Sequence, residues 1–218
     1  MTRELPEILE HIHWLGHDSF RIDGALVIYL DPWKLPIESP EADLILVSHD
    51  HFDHCSVEDV ELVRGDDTLL AANPSSVPTL KLPVRIMHPG EKLEHRGVII
   101  EALPAYNIGK TFHPKGADHL GFILTIDGER VYFAGDTDII PEMKGLTCDV
   151  ALLPVSGTYV MTAEEAAEAV GVIDTRVAIP MHYGAGVVGT VEDALRFQEL
   201  SDVPVVILER EHGGAASS

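Results

Sequence analysis

The sequence predicts an α/β fold in which two sheets pack together with helices on the outer faces, a four-layer αβ/βα sandwich. Three observations carry this prediction. Short apolar runs come first with a single helix among them, and in the second half apolar runs alternate with helical segments. A length of 218 residues is enough for one substantial core. No stretch is long or low in complexity enough to separate domains. A single domain over residues 1–212 is therefore expected, with the small, polar residues 213–218 as a flexible tail.

The elements follow in order. Ile8 to Gly16 and Phe20 to Asp23 read as paired strands, with Asp23-Gly24 as a turn. Ala25 to Leu30 is a third strand, ending at Asp31-Pro32, and Leu44 to Val47 is a buried one. Ser56-x-x-Asp59 resembles a capping box and opens a helix to about Arg64. Leu69 to Ala72 and Val84 to Met87 are short strands around a small helix near Val77 to Leu80, and Gly97 to Leu103 is the next strand. Asp127-Gly128 joins Leu120–Ile126 to Arg130–Ala134 as a hairpin. Val150 to Leu153 is a buried strand, and Thr162-x-x-Glu165 caps an Ala-rich helix to about Ile173. A helix from Thr190 to about Leu200 and a strand from Val203 to Glu209 complete the pattern.

Charge and composition narrow the function. The net charge is −21, from 36 acids against 15 bases. Such a surface repels nucleic-acid phosphates and anionic membranes, so neither is an expected partner. No apolar run approaches the roughly 20 residues that span a bilayer, and the first residues carry no signal-peptide core. Two cysteines, Cys55 and Cys148, are too few for a disulfide framework and suit a reducing cytoplasm, the expected location. Cys55 reads as a small buried hydrophobe. The expected partner is a small-molecule substrate; oligomeric state is left open, a homo-oligomer included.

The most informative stretch is His49-Asp50-His51-Phe52-Asp53-His54-Cys55, directly after the apolar run Leu44-Ile45-Leu46-Val47. Imidazole and carboxylate are ligands of zinc, iron and manganese. His49, His51, Asp53 and His54 diverge too much to serve one ion but suit two adjacent ones. Two more apolar strands end in metal-competent side chains: Arg130 to Ala134 leads through Gly135 to Asp136, placed to bridge two ions, and Val177 to Met181 leads to His182.

In His49-x-His51-x-Asp53-His54, Gly135-Asp136-Thr137 and His182, in this order, the chain resembles the metallo-β-lactamase superfamily, over about Ile12 to Leu208. Trp14-Leu15-Gly16-His17-Asp18-Ser19-Phe20 and Asp31-Pro32 resemble the branch that includes ascorbate-6-phosphate lactonase. The resemblance implies the metallo-β-lactamase form of the sandwich and two divalent ions, zinc first, with manganese or iron as alternatives. His49 and His51 are expected at the first ion, Asp53, His54 and His182 at the second, and Asp136 between them. One departure matters: where relatives of this branch carry the first ion's third His, this chain has Asn107. Either Asn107 ligates weakly, or His113 reaches in from its loop, or the first site is loosely held; both residues are candidates for a metal or a substrate role.

The implied chemistry is hydrolysis of a small-molecule ester, lactone or phosphoester by a metal-bound, bridging hydroxide, with Asp53 and Asp136 catalytic and Asp53 handling the proton. Asp50 is expected to face away, and Asp138 to act as an outer acceptor or to be solvated. His17, Tyr106, Lys115, Tyr159 and Tyr183 are candidate substrate-binding residues; His119 is given no role. Two rivals stand beside hydrolysis: an iron-dependent oxidoreductase on the same fold, and a non-catalytic metal- or ligand-binding module.

Overall fold

A computed structural model describes residues 4–211; the expected tail, 213–218, lies outside them. The first half of the chain forms one six-stranded sheet, in the order β1 (Ile12–Gly16), β2 (Ser19–Ile22), β3 (Ile28–Leu30), β4 (Ala42–Val47), β5 (Arg64–Ala72) and β6 (Arg85–Ile86). The second half forms another: β12 (Val177–Met181), β11 (Val150–Pro154), β10 (Glu129–Phe133), β9 (Leu120–Ile126), β8 (Val98–Pro104) and β7 (Lys92–His95). Pairing is antiparallel from β1 to β3 and parallel from β3 to β6. It is antiparallel from β7 to β10 and parallel from β10 to β12.

The pleat of β4 sets the layers. Leu44 and Leu46 enter the core shared by the two sheets, while Ala42, Ile45 and Val47 belong to a second core on the outer face. Val60 and Val63 of α1 (Val57–Val63) and Leu80 of α2 (Val77–Leu80) cover that outer face. On the other side, Ala166 and Ala169 of α3 (Ala163–Val172) and Phe197 of α4 (Val191–Leu200) pack against the second sheet. Helices therefore lie outside both sheets, as the element order predicts.

Several boundaries differ from the sequence reading. Residues Glu7–His11 form a 3-10 turn rather than the start of β1. Ser56 caps α1 by accepting from Asp59 N, but the Asp59 carboxylate holds Lys34 N and Leu35 N, so the capping box is incomplete. The exposed strand β7 carries Lys92, Glu94 and His95, and its polarity hid it. The expected strand from Val203 to Glu209 makes a single isolated bridge, Ala178 to Val205, and Arg210 just past it bridges Trp14.

A candidate metal centre at the strand ends

Six segments deliver side chains to one end of the sandwich. The β1–β2 turn brings His17 and Asp18, β3 ends at Asp31, β4 leads into His49 to His54, and the β8–β9 connection carries Asn107 and His113. The ends of β10 and β12 supply Asp136 and His182. Gly135 makes the turn after β10 possible: its φ is +64°, and a Cβ there would lie 2.6 Å from Leu120 O. His17, Asp31 and His182 also adopt positive φ, at 56°, 42° and 63°. Such conformations cost about 1–3 kcal/mol each and gather where function constrains the backbone.

Asp136 is the hub. His113 Nε2 and His182 Nε2 lie 3.2 and 3.3 Å from its Oδ2, and His49 Nε2 lies 3.9 Å away. His54 Nε2 is 3.5 Å from Oδ1. His49 Nε2 and His113 Nε2 stand 3.0 and 3.3 Å from His51 Nδ1. Nitrogens of His49, His51 and His113 with an oxygen of Asp136 thus form one close group that could hold a cation. Asp18, His54, Asp136 and His182 form another.

The far nitrogens of these rings are anchored, which fixes which nitrogen faces Asp136. Ser48 Oγ donates to Asp31 Oδ2 at 2.5 Å, so its oxygen is left to accept from His49 Nδ1 at 2.9 Å. Asp31 Oδ2 also accepts from His54 Nδ1 at 2.8 Å. His182 Nδ1 meets Ser156 Oγ at 2.7 Å. His113 Nδ1 lies 3.2 Å from Asn107 Oδ1 and from Tyr159 O, both acceptors only. Its Nε2 therefore presents a lone pair to Asp136.

This last arrangement bears on the question left at Asn107. Its side-chain oxygen accepts from His113 N at 3.0 Å, and its Nδ2 donates to Tyr159 O and Asp138 Oδ1 at 2.8 and 3.2 Å. Asn107 is spent on holding His113, which is 1% exposed and faces Asp136. Of the alternatives read from the sequence, the geometry brings His113, six residues on, to 3.2 Å from Asp136 Oδ2, while the Asn107 amide is engaged with His113, Tyr159 and Asp138.

Burial dominates the electrostatics. It pushes His49 well below the usual imidazole range and lowers His17 to about 4. For His182, burial is outweighed by Asp136 and Asp18, which raise it to about 9. His54 is likewise held well above its ordinary value, burial being overcome by Asp136 and Asp31. Asp136 is pulled well below the carboxylate range, because His182 and His54 outweigh its burial. Asp53 is lowered despite burial by His17 and His54. Its Oδ2 lies 3.1 Å from His17 Nε2, and its Oδ1 is 3.9 Å from His54 Nε2.

A cavity of about 270 Å³ opens over Asp136, lined by His51, Phe52, Asp53, Phe112, His113, Tyr159, His182 and Val187. Of the candidate substrate residues, His113 and Tyr159 are in this lining, Tyr159 with Phe112 edge-on to it at 4.7 Å. The others lie outside it. Tyr106 is buried and donates to Glu142 at 2.8 Å, and Lys115 is paired with Glu142 at 2.7 Å. Tyr183 stacks on Trp14 at 4.6 Å in the core. His17 is not in the lining; its Nε2 lies 3.1 Å from Asp53 Oδ2, and with His54 and His182 it forms a further close group. Cys55 packs in the outer core, its thiol pushed up to about 11 by burial. Asp50 turns outward to Ser75, and Asp138 accepts from Asn107 and Ile108 N.

The sequence reading missed Asp18, Ser48, Ser156 and His119 as parts of the site. His119 is 5% exposed, stacks on His49 at 4.7 Å and is lowered to about 4 by burial. A His directly before the apolar run that begins at Leu120 was the available signal.

Comparison with known proteins gives this geometry a family. The β-lactamase superfamily domain matches residues 11–182. A UPF0173 metal-dependent hydrolase of Methanoregula boonei is 31% identical over 183 residues, covering 79% of this chain and 82% of the relative. One from Thermoplasma acidophilum is 32% identical, with 79% and 82% covered. Among solved structures, a protein described as a metal-dependent hydrolase from Parabacteroides distasonis superposes with a TM-score of 0.82 at 33% identity, covering 92% of this chain and 93% of that one.

Proposed function

This chain belongs to the metallo-β-lactamase superfamily and is a metal-dependent hydrolase, and from that premise we propose that it uses two adjacent divalent ions to hydrolyse a small-molecule ester or lactone. The observation that carries this reading is the convergence of ring nitrogens from His49, His54, His113 and His182 on the single buried carboxylate of Asp136, 3.2–3.9 Å away. The donor set fits divalent ions: imidazoles and carboxylates, with His54 Nε2 and Asp136 Oδ1 buried and without hydrogen-bond partners among the described residues. His49, His51 and His113 would hold the first ion, His54, His182 and Asp53 the second, and Asp136 both. Zinc suits the imidazole-rich first position, and manganese or iron are accommodated by the same ligand types.

When bound, such ions supply Lewis acidity and lower the pKa of a shared water towards neutrality. The chain's own residues do the rest. Asp53 lines the cavity and is held ionised by its surroundings, so it orients the attacking water and accepts its proton at a carboxylate oxygen. Ser48, Asp31, Ser156 and Asn107 keep the rings from turning. Phe52, Phe112 and Val187 shield the floor from bulk water and cradle an apolar group.

The cavity also supports a carbon ester or lactone over a phosphoester. Among the described residues no Lys or Arg lines it. Lys110 is paired with Asp138 and Lys115 with Glu142, so neither is free to meet a phosphate. Turnover of zinc- or manganese-loaded protein on matched aryl esters, lactones and phosphodiesters tests this. Hydrolysis of esters or lactones with apolar acyl groups is expected; activity confined to phosphodiesters contradicts the substrate class, and no turnover on any of them contradicts the reading.

A further inference from the structure

Asp18 stands out among the buried carboxylates. It is 0% exposed, yet neither carboxylate oxygen has a hydrogen-bond partner among the described residues. The fold does not neglect such groups elsewhere. Asp31, equally buried, accepts from Ser48 N at 2.7 Å, Ser48 Oγ at 2.5 Å and His54 Nδ1 at 2.8 Å. A carboxylate removed from water with no donor is strongly destabilising unless a charge meets it.

The position of Asp18 indicates which charge. The β1–β2 turn drives it inward: Gly16 and His17 adopt φ of 114° and 56°. Ligand atoms of Asp18, His54, Asp136 and His182 all lie within 4.8 Å of one another. Two more atoms of this group, His54 Nε2 and Asp136 Oδ1, are buried and unpartnered too. Asp18 Oδ2 lies 3.9 Å from His54 Nδ1, and three residues of this group carry four unpartnered atoms, acceptors and a ring nitrogen, with no Lys or Arg in the group. Hydrogen bonds within it cannot satisfy them all, whereas one cation can.

Resting on the two-ion reading above, we propose that Asp18 is a ligand of the second ion, a carboxylate supplied from the β1–β2 turn in addition to His54, His182, Asp53 and Asp136. The second position then has more carboxylate than the first, which has three imidazoles and a share of Asp136. That makes it the harder site, the one that accepts manganese or iron more readily.

The test is metal binding rather than turnover. Zinc affinity and stoichiometry are measured by chelator competition on the parent chain, Asp18→Asn and Asp18→Ser, with cobalt(II) absorption spectra as a second readout. Loss of an outer partner of a metal ligand costs about 10–100-fold in affinity, so loss of a ligand is expected to weaken the second ion by at least about 100-fold. The first ion stays at parental affinity, and the cobalt bands of the second position change. Two ions at parental affinity with unchanged cobalt bands in Asp18→Asn overturn the proposal and leave Asp18 as a protonated neighbour of Asp136. Asp18→Ser decides on the same criteria if the Asn variant does not fold. A parent chain that binds a single ion overturns the two-ion reading and this proposal together; a parent with two ions and indifferent variants overturns this proposal alone.

Discussion

At one half of the site three imidazoles, His49, His51 and His113, face Asp136; at the other, two imidazoles, His54 and His182, share Asp136 with Asp18 and with Asp53 close by. In the first half, hydrogen bonds within the protein hold the framework: Ser48 holds His49, and Asn107 with Tyr159 O holds His113. In the second half the outer nitrogens of His54 and His182 are tied, but the inward atoms of Asp18, His54 and Asp136 are not. The first half is an arrangement that the chain largely satisfies by itself. The second depends on what it binds, and metal loading should stabilise that half more.

Removing Asp136 should erase the distinction, since both halves use it. Asp136→Asn is expected to lower kcat/KM by about a thousandfold or more, the several kcal/mol that metal assistance supplies, and to release both ions. His54→Ala should cost similar activity but leave the first ion in place. Elemental analysis of the two variants checks the contrast; equal metal loss in both would dissolve the division.

Asn107→Ala sharpens it from the other side. Without its amide, His113 loses the acceptor at its backbone N and a partner at Nδ1, and the first ion should weaken about 10–100-fold while the second is unchanged. Metal competition titrations give both constants. Parental affinity at the first position would mean that the loop holds His113 without Asn107.

Proton competition should act mainly on the second half. An ion needs neutral imidazole, and without one His182 stays protonated up to about pH 9 because Asp136 and Asp18 outweigh its burial. His49 is held neutral by burial. The second ion's affinity should therefore fall by up to about tenfold per pH unit per displaced proton as pH drops from 9 to 6, with less change at the first until lower pH. Isothermal titration over that range tests the sign; parallel pH slopes for both ions would contradict it.

The smallest effect is expected at the rim. Phe112→Ala removes the edge-on contact with Tyr159, worth about 0.5–1.5 kcal/mol. KM for esters with bulky apolar acyl groups should rise about 2–10-fold, and that for acetyl esters should not. An equal rise for both would place Phe112 outside substrate recognition.

Much of this was legible in the sequence where chemistry coincides with a strand end. His49 to His54, Asp136 and His182 each follow an apolar run, and such runs are read from hydrophobicity alone. The αβ/βα layering was legible for the same reason. What escaped depended on loop paths. Nothing local says that Asn107 turns back to hold His113, since their pairing closes a six-residue loop whose shape is set by Tyr159 and Asp138. Lys115 stands among the candidate substrate residues because Glu142, its partner, is distant in sequence. Asp18 has no role in the sequence reading, because nothing local tells that the β1–β2 turn, with positive φ at Gly16 and His17, buries it.

The central claim is that Asp136 lies between two ion positions. It is tested most directly by elemental mass spectrometry of the full chain purified without chelator, alongside Asp136→Asn. Two ions per parent chain, and loss of both in the variant, is the predicted result. One ion per parent chain, retained in Asp136→Asn, would contradict the account.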